Sequence, residues 1–176
     1  MKWRQGAALK DKIMTFGLLA ALPIISLMGW LSMFGLKHRS LFAGDIAGLV
    51  YHLALIPLVD HLPGGPEVKF AGYLWLFMDA LVDMVSINHI GEKTVWALRM
   101  GVHLFAAIWI CGVSWGLGGV ALWIGIPLGL FLAVHATFLA DVKNSKAILG
   151  IGVVPAMSAW LLALSYHFLM GANLAP

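Results

Sequence analysis

Charged residues are scarce in this chain. Asp, Glu, Lys and Arg together make up 11% of the 176 residues, whereas hydrophobic residues make up 61%. Soluble domains carry roughly 25% charged residues. This shortage excludes a soluble globular fold and indicates a chain that lies in a lipid bilayer. We predict a single integral membrane domain over residues 1–176, because spans of about 20 residues leave little sequence for anything else.

Cysteine and catalytic signatures are also scarce. The one cysteine, Cys111, lies inside an apolar segment, which excludes an internal disulfide and a CxxC redox pair. The sequence contains no H-E-x-x-H, no P-loop and no dinucleotide fingerprint, and neither Ser86 nor Ser158 lies in a G-x-S-x-G context. These absences favour a protein that is not an enzyme. The net charge of +3 does not indicate a nucleic-acid partner, because the Lys and Arg residues lie near segment ends, where they orient spans and contact lipid headgroups.

Long apolar runs are what the chain does have, and they predict an all-α, polytopic transmembrane bundle of five or six helices. The second run is ambiguous because it contains four ionisable residues. If all six runs cross, with the N-terminus in the cytoplasm, only five of the eleven basic residues are cytoplasmic; if the second does not cross, eight are. The runs cover residues 13–36, 41–62, 70–87, 94–117, 120–140 and 147–170.

Two pairs of ionisable residues lie in the third and fourth runs. Asp79 and Asp83 are spaced i, i+4, and so are Arg99 and His103, which puts each pair on one helical face. An antiparallel hairpin folded about residue 91 places Asp83 level with Arg99, and Asp79 level with His103. Ionisable side chains at membrane depth are costly, face the bundle interior and indicate function. We therefore expect a functional site at this hairpin.

The histidines in other runs extend this site or form another. Counted at 1.5 Å per residue from their turns, His103 and His135 both lie roughly 12–18 Å from the same surface. His52 joins this layer if the second run spans. His167 lies roughly 35 Å along the last helix, near the opposite interface.

Three functions are compatible with these residues. The first is a transporter, channel or transport-complex subunit that moves protons, a cation or a small polar solute. The second is a cytochrome b-like electron-transfer subunit that binds haem b, or a metal, between facing histidines. The third is a structural or assembly subunit of a larger membrane complex. The transport residues are Asp79, Asp83, Arg99, His103, His135 and His52; the cofactor ligands of the second function are His103, His135, His52 and His167.

Partners and location follow from composition alone. A chain with so little sequence outside the bilayer is expected to work as a homo-oligomer or beside other membrane subunits. We expect a bacterial cytoplasmic (inner) membrane protein, with lipid as its surroundings. Only the electron-transfer hypothesis requires a cofactor.

Overall fold

The computed structural model describes residues 41–88 and 91–173, together with several helical positions between Met14 and Met28. Most of the predicted first span, residues 13–36, lies outside the described residues. All regular secondary structure in the described part of the chain is helical. This agrees with the predicted all-helical fold.

Five helices follow residue 40, and each packs against the next along the chain. A 3₁₀ turn, Ile56–Leu58, continues the first of them, and a π-helical turn, His135–Leu139, continues the fourth. The helices are α1 Leu41–Leu55, α2 Pro66–Ile87, α3 Glu92–Leu117, α4 Gly119–Val134 and α5 Ser145–Asn173.

Four of these helices are long and apolar enough to cross a membrane: α2, α3, α4 with its π-helical turn, and α5. Helix α1 is not among them. Its 15 residues span about 22 Å, which is less than the roughly 30 Å hydrocarbon core of a bilayer. The second apolar run therefore forms a shorter helix than its 22-residue length suggests, and this helix lies against α2.

Local sequence explains where the central helices begin and end. Pro66 occupies the first turn of α2, where no backbone N–H is needed. The negative charge of Glu67 in the same turn interacts favourably with the positive end of the helix dipole. Between α3 and α4 the chain reverses at Gly118 and Gly119, whose φ angles of 69° and 53° are left-handed. Glycine adopts such angles without steric cost. The two helices can therefore pack closely after a very short connection.

A layer of three tryptophans forms the centre of the bundle. Trp75, Trp109 and Trp160 come from α2, α3 and α5, and each is 3% exposed or less. Their neighbouring ring centroids are 5.4 and 5.5 Å apart. We call these three residues the tryptophan layer. It packs tightly, because a Cβ added at Gly72 would lie 2.5 Å from the ring of Trp109.

Candidate functional site

A cluster of buried polar side chains lies where α1, α2 and α3 meet. The carboxylates at its centre, Asp79 and Asp83, are 2% and 0% exposed. We call this group the ion-pair cluster. Its members are Asp45 and His52 of α1, Asp79, Asp83 and Ser86 of α2, and Arg99 and His103 of α3.

The α2–α3 hairpin brings its acids and bases together in the predicted register. Asp83 Oδ1 pairs with the guanidinium of Arg99, and His103 Nε2 lies 3.7 Å from Asp79 Oδ2. Arg99 also reaches the deeper carboxylate, with its Nε 3.6 Å from Asp79 Oδ1. The pairing of Asp83 with Arg99 and of Asp79 with His103 is thus present in the structure.

His52 connects the two carboxylates from the α1 side. Its Nδ1 lies 3.0 Å from Asp83 Oδ2, and its Nε2 lies 3.2 Å from Asp79 Oδ2. Gly48, one turn earlier in α1, allows this close approach, since a Cβ there would lie 2.8 Å from Asp83 Oδ2. His52 therefore joins the site even though α1 is too short to span on its own.

These two contacts place a proton at the centre of the cluster. A neutral imidazole has one N–H and one lone pair, and an ionised carboxylate only accepts hydrogen bonds. Both contacts of His52 are therefore satisfied when its two nitrogens both carry hydrogen. The net charge of the whole cluster leads to the same conclusion. Its three carboxylates face one arginine, so protonated imidazoles are needed to approach neutrality in a low-dielectric interior.

Three residues of the site were not among those predicted. Ser86 Oγ donates to Asp45 Oδ2 at 2.7 Å, Asp45 Oδ1 lies 3.9 Å from Arg99, and Trp75 Nε1 donates to Asp79 Oδ2 at 3.1 Å. Their spacing carries a signal. Asp45 shares a helical face with His52, Ser86 lies one turn after Asp83, and Trp75 lies one turn before Asp79.

His135 and His167 lie apart from these ion pairs. His135 is fully buried at the start of the π-helical turn, where its Nε2 donates to the carbonyl oxygen of Ser145 at 3.1 Å and lies 3.0 Å from Ser145 Oγ. His167 is exposed near the end of α5, with its ring beside Phe168. The structure thus brings His52 and His103 to Asp79, and gives His135 and His167 other neighbours.

These contacts give little support to the electron-transfer hypothesis. Both ring nitrogens of His52 face carboxylates, and Nε2 of His135 is bonded to Ser145. Among the inaccessible ring nitrogens of the described histidines, Nδ1 of His103 and Nδ1 of His135 have no hydrogen-bond partner. No group of three or more His, Cys, Asp or Glu side chains in the described ranges has the geometry to hold a metal ion. Haem binding stays a hypothesis.

The ion-pair cluster extends from one end of the bundle towards its middle. Ser86 lies nearest the turn between α2 and α3, the Asp83 and Arg99 pair lies one turn deeper, and Asp79 lies one turn deeper again. The Arg99 side chain is 25% exposed and that of Asp45 is 13% exposed, so this end reaches the surface. Beyond Asp79 stands the tryptophan layer, which separates the cluster from the other end.

No protein-family model, curated protein or solved structure matches this chain. Within residues 41–88 and 91–173, the fold and the site define a class: an all-helical bundle with four helices long and apolar enough to cross a membrane, and a buried cluster of acids and bases between α1, α2 and α3.

Proposed function

We propose that this chain is an integral membrane protein that transports protons through the ion-pair cluster, alone or together with a small polar solute. The observation that carries the proposal is the position of His52, with one ring nitrogen on Asp83 and the other on Asp79. An imidazole in this position can take a proton on one nitrogen and release one from the other. It therefore links Asp83, the carboxylate nearer the α2–α3 turn, to Asp79, which lies a helical turn deeper.

The proportion of acids to bases favours transport over a purely structural role. Polar contacts that only hold membrane helices together are each worth about 0.6 kcal/mol on average, and one acid with one base suffices for such a contact. Here Asp45, Asp79 and Asp83 share a single arginine. The remaining positive charge comes from imidazoles, which gain and lose protons near neutral pH.

The route within the protein follows from the order of the side chains. A proton reaches the cluster from the end where Asp45 and Arg99 are partly exposed, and His52 carries it from Asp83 to Asp79. The tryptophan layer then blocks the way. Release at the opposite surface requires Trp75 to move away from Trp109, which makes the tryptophan layer the barrier of the transport cycle.

The surface of the helices suits lipid. Large apolar side chains on the outer faces of the spans are exposed, among them Phe77, Leu81, Ile108 and Leu130. In water such apolar faces favour aggregation, whereas in a bilayer they contact lipid without a free-energy penalty. A bacterial cytoplasmic membrane as the location, and further copies or other membrane subunits as partners, are parts of this proposal.

Proton uptake into vesicles tests the proposal. The purified protein is reconstituted into liposomes that contain a pH-sensitive dye, and a potassium gradient with valinomycin sets the membrane potential. We expect wild-type vesicles to change their internal pH faster than protein-free vesicles do. Asp79→Asn keeps the shape of the side chain but removes its charge, so we expect this variant to fall to the protein-free rate.

Asp60→Asn is the matched control, because Asp60 is exposed in the loop before α2. This variant should keep the wild-type rate. Wild-type vesicles no faster than empty ones, or an Asp79→Asn variant as fast as wild type, would overturn the proposal. Far-UV circular dichroism and size-exclusion chromatography verify that each variant is folded.

A further inference from the structure

Two imidazoles have buried ring nitrogens that the ion-pair cluster leaves unused. Nδ1 of His103 and Nδ1 of His135 are both inaccessible, and neither has a hydrogen-bond partner among the described residues. The two side chains are 9% and 0% exposed. Buried polar atoms without partners are rare in folded proteins, and each calls for an explanation.

The two imidazoles lie at the same depth on neighbouring helices. A Cβ at Gly125 would meet Ser114, and a Cβ at Gly129 would meet Cys111, which defines the antiparallel register of α3 and α4. Continued towards the other end of α3, this register puts His103 level with His135.

We propose that His103 and His135 form a second proton relay, which connects Asp79 to the polar turn between α4 and α5. This inference rests on the proposed function. Ser145, beside the exposed residues 141–144, passes a proton to Nε2 of His135, which releases one from Nδ1. A bridging water passes it to Nδ1 of His103, which releases one from Nε2 to Asp79. Only N–H and O–H bonds form and break, so no oxidant or further reactant is needed.

The two imidazoles of the relay have different charged neighbours. His103 faces Asp79, Arg99 and His52, whereas His135 is surrounded by Trp96, Phe131 and Ser145. On the route through Asp83 and His52, the fixed positive charge of Arg99 lies beside Asp83 and repels an approaching proton. His135 itself has no arginine among its described contacts, so a proton enters there away from this charge.

Both routes open at the same end of the bundle. Trp96 Nε1 donates to the carbonyl oxygen of Ala140 at 3.0 Å, and Lys146 pairs with Glu92. The start of α3 therefore lies beside the turn between α4 and α5. Lys146 also lies over the ring of Trp96, which is itself beside the ring of His135. Protons thus have access through His135, separately from the opening at Arg99.

Chemical rescue in the vesicle assay tests the relay. In His135→Ala the route through Asp83 and His52 remains, so we expect proton uptake to fall several-fold and to stay above the protein-free rate. Imidazole added at millimolar concentration should restore a large part of the rate, because the small molecule can occupy the space of the missing ring. His135→Gln can still donate to Ser145 but cannot relay a proton, so it should be slow and should not respond to imidazole. His61→Ala removes an exposed histidine and should match wild type.

The outcomes separate the relay from the proposed function. If both His135 variants are as fast as wild type while Asp79→Asn is inactive, the relay is wrong and transport through the cluster stands. If folded His135→Ala is slow and imidazole does not restore it, His135 is structural and the relay is also wrong. If wild-type vesicles take up no protons, both proposals fall. Should His135→Ala not fold, a wild-type rate in His135→Gln is sufficient to overturn the relay.

Discussion

Removal of Asp83 is expected to destabilise the bundle strongly. Asp83 is fully buried and contacts both Arg99 and His52, so Asp83→Ala leaves these two cationic groups with only one shared carboxylate, Asp79. Breaking a buried ion pair by removing one member costs about 3–5 kcal/mol. The Arg99 side chain is 25% exposed and can turn partly to solvent, so we expect a loss of stability near the lower end of this range, about 3 kcal/mol. This is a large share of the roughly 5–15 kcal/mol that stabilises a typical domain.

Reversible unfolding in mixed detergent micelles, followed by circular dichroism, measures this loss. Asp141→Ala, at an exposed carboxylate in the turn before α5, is the control and should change stability by less than about 0.5 kcal/mol. The double variant Asp83→Leu with Arg99→Leu should recover part of the loss, because an apolar pair needs no neutralisation. The expected coupling between the two sites is about 2 kcal/mol. A loss below about 1 kcal/mol in Asp83→Ala, or strictly additive single variants, would refute the reasoning.

Two further changes probe the packing around the cluster. Gly125→Ala should cost about 1–3 kcal/mol in the same unfolding assay, because the new Cβ would clash with Ser114 Oγ and lie 2.6 Å from Trp160 Nε1. In the control Gly101→Ala the new Cβ meets nothing within 4 Å, so stability should be unchanged or slightly higher. Equal losses in the two variants would contradict this. Trp75→Phe removes the N–H that donates to Asp79, so it should cost about 1–3 kcal/mol, and an unchanged stability would show that this hydrogen bond does not form.

The hairpin could be predicted because it depends on local rules. A helix repeats every 3.6 residues, and a short turn leaves little freedom in how two neighbouring helices align. The positions of Asp83 and Arg99 on either side of residue 91 were therefore sufficient to pair them. The structure has them paired as expected.

The part played by α1 could not be predicted in the same way. A connection of several residues separates α1 from α2, so its depth depends on tertiary packing. Gly48 against Asp83 is such a contact, and its effect appears only when the helices are together. For the same reason the run over residues 41–62 was long enough to predict a span, whereas the helix ends at Leu55 and continues as a 3₁₀ turn.

Trp75 shows a second limit of sequence reasoning. A tryptophan in an apolar run is expected to be packing material, and Trp75 is indeed part of the tryptophan layer. Its indole N–H nevertheless donates to Asp79. A buried indole needs an acceptor, and the spacing of four residues made Asp79 available, so this contact could have been found by asking where each buried donor is satisfied.

The protonation of His52 tests the central claim most directly. Proton transport through the cluster requires the imidazole between Asp79 and Asp83 to carry hydrogen on both nitrogens at neutral pH, since one of these is the proton that the cluster holds and passes on. Nitrogen NMR of ¹⁵N-histidine-labelled protein in lipid bilayers, with the His52 signals assigned by their loss in His52→Gln, reports this state. We expect two protonated ring nitrogens. A neutral ring with one bare nitrogen between two ionised carboxylates would contradict the account.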